Sequence, residues 1–416
     1  MSWAQCTCFF SRNIFVRSLS MTFEYFGDES FLTTYKSFLH KLKVTDDKID
    51  EILAEVRRES SDRRFESIRS LERKVNIVKH YTPLSRTSFV LSADDYQPLV
   101  ANLLRKMKQR RFEMDEVFSL LEPVPELQEV YTLPLLTTAC LRRLNAELDA
   151  FLASGLPASR PNTMNRQGIL LCELPGHLAR AHPETPSDPG GADVDLISQG
   201  LLSSVGPVSL RCLLQLIFPD IGGKIDSYRA FTVEYEGPAA VDLETTMDSG
   251  LSYHYDNAEL TINICLRLQK SGDRSFDSAV TMPVDEDAAG GEICFAHPDP
   301  HWIMEEPCPP AALVPNQPGW ALLHRGSHVH GAQPLAPGYV RRNLIIWLRS
   351  TSVRNSHSPC PRCHLRPQIV PLPYWLNGQV VEGKLPPSDQ HVITSGFGDG
   401  FWLDSLPSQS ASLLTQ

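Results

Sequence analysis

The spacing of hydrophobic residues along the chain changes once, near residue 160. Before that point apolar side chains recur at three-and-four intervals, the period that gathers them on one face of a helix. The pattern predicts helix over 29–82, where Asp46 and Asp47 suit the start of "KIDEILAEVRRESSDRRFESIRSLERKVNIVKH". The same period runs through 94–121 and again through 133–155, which Gly155 and Pro157 close. Beyond 160, short β-rich runs alternate with Gly, Pro and Asp turns: "GILLCEL", "YRAFTVEY", "LTINICLRL", "GEICFAH", "GWALLH" and "RRNLIIWLRS". Strands spaced in this way predict a sandwich or barrel. A helix is expected at 208–220 ahead of the main strands, and "HPETPSDPGGADVD" (182–195) reads as an exposed insertion. The expected organisation is α+β: a mainly helical region over 1–155, a β-rich domain over 156–352, and a Pro/Ser-rich extension over 353–416.

Composition narrows the function classes. A chain of 416 residues with 42% hydrophobic content can bury a substantial core. Its formal charge of −10 leaves no electrostatic footprint for nucleic acid, so no such partner is expected. The basic clusters "RRFESIRSLERK" and "RKMKQRR" sit among acidic residues on predicted helices and read as solvated faces. No apolar run reaches the length of about 18 residues needed to span a bilayer, and no membrane association is expected. The ten cysteines are scattered, several inside apolar runs where a thiol packs as a small hydrophobe, which points to a reducing, intracellular compartment. The N-terminal "MSWAQCTCFFSRNIFVRSLSMTF" lacks acidic residues, yet its alternating Cys and aromatic positions read as a strand rather than a transit peptide.

Chemistry first surfaces in "LSYHYDNAEL" (251–260), directly ahead of the apolar, β-branched run "TINICLRL". In an extended segment the side chains at i and i+2 point the same way, so His254 and Asp256 can approach one ion together. A third ligand is available downstream, where "GWALLHRGSHVHGAQPLAPGYVRRNLIIWLRS" (319–350) offers His324, His328 and His330, followed by Arg341 and Arg342. His-x-Asp, a distant His and then a basic residue is the layout of a 2-His-1-carboxylate facial triad. That triad holds non-heme Fe(II) by one face and leaves positions open for a 2-oxo acid and dioxygen. An arginine on the adjoining strand suits a bidentate grip on a second carboxylate. Neighbouring strand residues face opposite sides, so only one of Arg341 and Arg342 can enter such a pocket.

Several stretches resemble the 2-oxoglutarate- and Fe(II)-dependent dioxygenases of the prolyl-4-hydroxylase type. They are "RPNTMN" (160–165), "DSYRAF" (226–231), "HYDNAELT" (254–261), "LLHRGSHVHGAQPL" (322–335), "NLIIWLRSTSVRNS" (343–356) and "GFGDGF" (396–401). The resemblance covers the chain from about 160 onward, more loosely the region before it. It implies a double-stranded β-helix (jelly-roll) barrel with supporting helices, and Fe(II) held by His254, Asp256 and His330. His330 is selected because the family's distal His stands four residues before a Pro, here Pro334. 2-Oxoglutarate is implied as cosubstrate and L-ascorbate as the reductant that rescues oxidised iron. The family shows Gly-x-Arg before its last strand, whereas Gly338-Tyr339-Val340-Arg341 holds one residue more. Counting back from Trp347 instead assigns the 2-oxoglutarate contact to Arg341.

Weaker signals surround this one. Tyr235 at the end of "FTVEY" is either a 2-oxo acid contact or a half-buried strand tyrosine. Thr261 and Asn263 share a strand face and either line the pocket or bond the backbone. "RPNTMN" reads as a substrate-side loop or as a pin between the helical region and the barrel. "CPRC" (360–363) is half a zinc site, with His357, His364, Cys6 and Cys8 as conceivable partners; two free thiols are the simpler reading. H-E-x-x-H, G-x-S-x-G and a phosphate loop are absent, and "GFGDG" reads as a turn. The expected activity is hydroxylation of a C–H bond in a protein or small-molecule substrate, with release of succinate and CO2. The competing classes are a non-catalytic iron-binding module and an interaction scaffold working through 29–155.

Overall fold

The computed structural model describes residues 13–174, 209–238, 248–272, 289–296 and 310–350 apart from isolated positions, with short strands at 370–371 and 400–403. The chain opens with a hairpin of β1 (Asn13–Val16) and β2 (Met21–Glu24), followed by helices α1 (Asp28–Lys41) and α2 (Asp46–His80). The single helical stretch expected over 29–82 is broken at 42–45, where Lys43 takes a left-handed conformation (φ 61°). Ile14, Val16, Phe23, Phe31 and Leu39 pack there against Ile49, Ile52 and Val56 of α2 as a core of their own. Next come α3 (Pro98–Lys108), with proline in its first turn where no N–H is needed, and α4 (Met114–Phe118).

The segment 133–155 differs from its predicted all-helical state. Strands β3 (Glu122–Pro123) and β4 (Tyr131–Pro134) precede the helix, and α5 runs only from Thr138 to Ala153. Thr137 begins it by accepting a hydrogen bond from the Cys140 N–H. β4 is drawn out of the helical period because Tyr131–Pro134 pairs with residues 320–323, a partner nearly two hundred positions away that local periodicity cannot register. "GILLCEL" also differs: only Leu170 bridges to Phe231, and Leu171–Glu173 forms a 3-10 turn. A short helix, α6, spans Arg211–Ile217.

The remaining strands are β5 (Ser227–Glu236), β6 (Leu251–His254), β7 (Leu260–Lys270), β8 (Ile293–Phe295), β9 (Ala312–Val314), β10 (Trp320–Arg325), β11 (His330–Ala332), β12 (Tyr339–Arg349), β13 (Val370–Pro371) and β14 (Gly400–Leu403). They form a larger sheet ordered β13-β14-β5-β12-β7-β10-β4-β3 and a smaller one ordered β6-β11-β8-β9. All pairings are antiparallel except the short β13–β14 pair.

Alternation along the central strands divides their side chains between two cores. Ile262, Ile264, Leu344, Ile346 and Leu348 join Leu141, Leu144, Leu148 and Phe151 of α5. The opposite face presents Phe231, Val233, Tyr235, Cys265 and Trp347 to Ile293, Phe295, Val314 and Ala332 of the smaller sheet. The candidate chemistry lies within this second layer. α5 is tied to the sheet at its polar positions too, since Asn145 Nδ2 donates to the Leu266 carbonyl at 2.8 Å. Among the described residues no helix is long and apolar enough to cross a membrane.

Candidate metal centre

His254 is the last residue of β6 and His330 the first of β11, and the antiparallel register sets them directly opposite each other. Their ring centroids are 4.5 Å apart. Nδ1 of His254 lies 2.8 Å from the Ser252 carbonyl and Nδ1 of His330 lies 2.9 Å from the His328 carbonyl. A carbonyl only accepts, so each Nδ1 carries the proton and each Nε2 is left with a free lone pair. Both Nε2 atoms converge on Asp256, at 3.7 Å from Oδ1 for His254 and 3.7 Å from Oδ2 for His330. One ligand atom from each of the three residues lies within 4.8 Å of the others.

Asp256 is held from two sides. Its N–H donates to the Gly326 carbonyl at 2.9 Å, and the Thr261 hydroxyl donates to Oδ2 at 2.6 Å. The close approach at Gly326 requires glycine, since a Cβ there would stand 2.0 Å from the Ala258 carbonyl oxygen. Burial pushes the Asp256 carboxyl up, but the flanking imidazoles and the Thr261 hydroxyl outweigh it and hold the group below its ordinary value. Burial, aided by His330, lowers His254 to about 4, so its imidazole is neutral and able to donate its lone pair near neutral pH. Two imidazoles and one carboxylate, with no sulfur, fit a ferrous ion.

His324, by contrast, is fully buried. Its Nδ1 lies 2.8 Å from the Arg325 carbonyl, its ring centroid is 4.6 Å from that of His330, and burial lowers it to about 3. It packs behind the ligand histidine as a neutral ring. His328 contributes its carbonyl to His330 rather than an imidazole nitrogen to the cluster.

The cavity beside the three ligands is lined by Arg341, Tyr235, Asn165, Asn263 and Asn343. Arg341 is 1% exposed, with its guanidinium 4.4 Å from the Tyr235 ring centroid. One Nη donates to the Gly291 carbonyl, while Nε and the other Nη have no partner. Arg342 points away. Its guanidinium binds Glu234, Asn145 at 3.0 Å and Asp149 at 2.7 Å. Of the weaker candidates, Thr261 bonds Asp256, Tyr235 accepts from Asn165 Nδ2 at 3.1 Å, and Asn263 accepts from Asn343 Nδ2 at 2.7 Å.

Asn343 and Gly291 were not singled out in the sequence. Asn343 was within reach: counting by twos from Arg341 along β12 places Asn343, Ile345 and Trp347 on the cavity face. No local signal marks Gly291. "CPRC" with its neighbouring histidines, and Cys6 and Cys8, lie outside the described residues.

Residues 77–177 match the family model of the OGFOD2-like domain. The 2-oxoglutarate and iron-dependent oxygenase domain-containing protein 2 of Xenopus tropicalis is 32% identical over 370 residues, 88% of this chain and 90% of that protein. The Homo sapiens protein of the same name is 30% identical over 373 residues, 88% of this chain and 91% of that one. Among solved structures, a Pseudomonas putida prolyl-4-hydroxylase aligns with 54% of this chain and 88% of its own, at 15% identity and a TM-score of 0.29, too slight a likeness to add to the sequence match.

Proposed function

The chain belongs to the family of 2-oxoglutarate and iron-dependent oxygenase domain-containing protein 2, and on that premise we propose that it is an Fe(II)- and 2-oxoglutarate-dependent dioxygenase. In this reading it hydroxylates a C–H bond of a protein or small-molecule substrate. Substrate, dioxygen and 2-oxoglutarate are converted to hydroxylated substrate, succinate and CO2. The two antiparallel sheets sharing one core are consistent with a jelly-roll barrel. The dioxygenase domain would then be 156–352, behind a helical region (1–155) and ahead of the 353–416 extension.

The observation that carries the proposal is the juxtaposition of three convergent ligand atoms with a buried, incompletely paired arginine in one cavity. His254, Asp256 and His330 would hold the ion by one face and leave the opposite face to reactants. When bound, the ferrous ion supplies the dioxygen activation and oxidative decarboxylation that amino-acid side chains cannot perform. Arg341 has two N–H directions without a protein acceptor, suited to the remote carboxylate of 2-oxoglutarate. Burial strengthens that grip, because a charge-assisted hydrogen bond is stronger in the low local dielectric of the interior. Thr261 holds the Asp256 carboxylate in its ligating orientation. L-Ascorbate is expected to sustain turnover, as in related enzymes.

The test is succinate release from 2-oxoglutarate by the purified full chain with Fe(II). We expect release above background that Asp256→Ala abolishes, and a mass gain of one oxygen on a substrate found by comparing cells with intact and altered His254. Metal binding without any succinate release would replace the enzyme by a non-catalytic iron-binding module.

A further inference from the structure

The stretch 160–165 lies between the helical region and the sheets, and its described residues divide their work. Arg160 Nη1 binds Glu59 of α2 at 2.9 Å and the Pro161 carbonyl accepts from Arg229 Nη2 at 3.1 Å, which anchors the loop at its start. Asn162 and Asn165 instead line the cavity that contains Arg341. Asn165 is 1% exposed and Tyr235 4%, so an unsatisfied polar atom at either would be costly.

The sense of every hydrogen bond here is set by the backbone. The N–H groups of Met164 and Asn165, which only donate, both reach Asn162 Oδ1 at 2.8 Å. That identifies the Asn162 oxygen, so its Nδ2 must be the group that donates to Asn165 Oδ1 at 2.8 Å. Asn165 Nδ2 is then left to donate to Tyr235 Oη at 3.1 Å. Amide orientation is ordinarily ambiguous, but two obligate donors at one end remove the ambiguity along the whole relay.

We propose that Asn165 is a positioning residue that fixes the phenol of Tyr235 as a hydrogen-bond donor toward the carboxylate bound by Arg341. With an N–H from Asn165 directed at its oxygen, the hydroxyl proton of Tyr235 must turn elsewhere, and the cavity shared with Arg341 is the place left for it. The relay transmits no proton; it imposes a direction. Cation and hydroxyl donor together form an anion site whose polarity is settled before any ligand arrives, which lowers the ordering cost of binding. This inference rests on the dioxygenase reading above for the identity of the anion.

The experiment measures 2-oxoglutarate affinity of the full chain loaded with Mn(II), a redox-silent ion, by calorimetry, with the Mn(II) affinity measured separately. Asn165→Asp keeps the shape but replaces the donor by acceptors that would capture the Tyr235 proton. We expect it to weaken 2-oxoglutarate binding by about 10- to 100-fold, the usual worth of a hydrogen bond to a charged group. In a Tyr235→Phe background the same change should cost less than about threefold, with Mn(II) affinity altered by less than about twofold throughout. Asn165→Leu, uncharged and similar in size, should give a smaller loss that also depends on the Tyr235 hydroxyl. Equal losses with and without that hydroxyl, or no loss, would overturn the proposal. A wild-type chain that binds Mn(II) but not 2-oxoglutarate would instead remove the dioxygenase reading.

Discussion

Arg341 and Arg342 are adjacent on β12 and stand on opposite faces of the same sheet. Arg341 pairs in register with Tyr235 and turns into the ligand cavity; Arg342 pairs with Glu234 and turns toward α5. Both guanidiniums are almost fully buried, yet only Arg342 is matched by carboxylates. Their replacements should therefore separate. Arg342→Met strands Glu234 and Asn145 and should cost about 3 kcal/mol or more in urea unfolding, softened because Arg267 Nη2 remains 3.9 Å from Glu234. Arg341→Met removes a poorly paired cation and should change stability by less than about 1 kcal/mol while weakening 2-oxoglutarate binding by about 100-fold or more. The reverse pattern would move the cosubstrate contact to Arg342.

The metal should act as a stabilising ligand. Wild-type protein at about 100 times the Mn(II) dissociation constant should gain about 2.7 kcal/mol, visible as a raised melting temperature. His330→Ala removes one of the two facing imidazoles and should abolish that gain, because a carboxylate and one imidazole leave most of the shell to water. A shift retained in the variant would place the ion elsewhere.

Thr261 tests whether the carboxylate must be held as well as present. Thr261→Val keeps the shape and removes the hydroxyl that reaches Asp256 Oδ2 at 2.6 Å. Mn(II) affinity by calorimetry should fall about 10- to 100-fold with the fold intact. An unchanged affinity would show that the Gly326 carbonyl alone orients Asp256.

Stability should depend on pH through Asp95, remote from the metal centre. Burial raises this carboxyl, but Arg143 at 2.8 Å and the Ser92 N–H at 2.6 Å outweigh it and hold the group below its ordinary value. A folded-state pKa below the unfolded one means the stabilisation is full above about pH 4 and is lost as pH falls through the lower, folded value. Asp95→Asn should cost about 1–3 kcal/mol at pH 7 and progressively less below pH 4, measured by urea unfolding across that range.

Much of the site was legible because it depends on local spacing. His254 and Asp256, two positions apart, bring Nε2 and Oδ1 within 3.7 Å of each other, and strand alternation required Arg341 and Arg342 to part company. The central strands were legible from one face each: Ile262, Ile264 and Leu266 of β7 and Leu344, Ile346 and Leu348 of β12 alternate as an apolar row, while the opposite face carries the polar Thr261, Asn263, Arg341 and Asn343 of the cavity. Leu133, Pro134 and "GILLCEL" depart from expectation because their state is decided by distant partners, β10 for the first two and β5 for the third.

By itself, the sequence determined which residue types were available to a metal ion and which neighbouring strand residues had to face opposite ways. Those are properties of a few consecutive residues. Tertiary structure set His330 opposite His254, brought Asn165 to Tyr235 and left the Arg341 guanidinium incompletely paired, none of which local spacing contains. The reason is physical: backbone period sets where a side chain points along its own segment, whereas strand register and sheet packing set what it meets there.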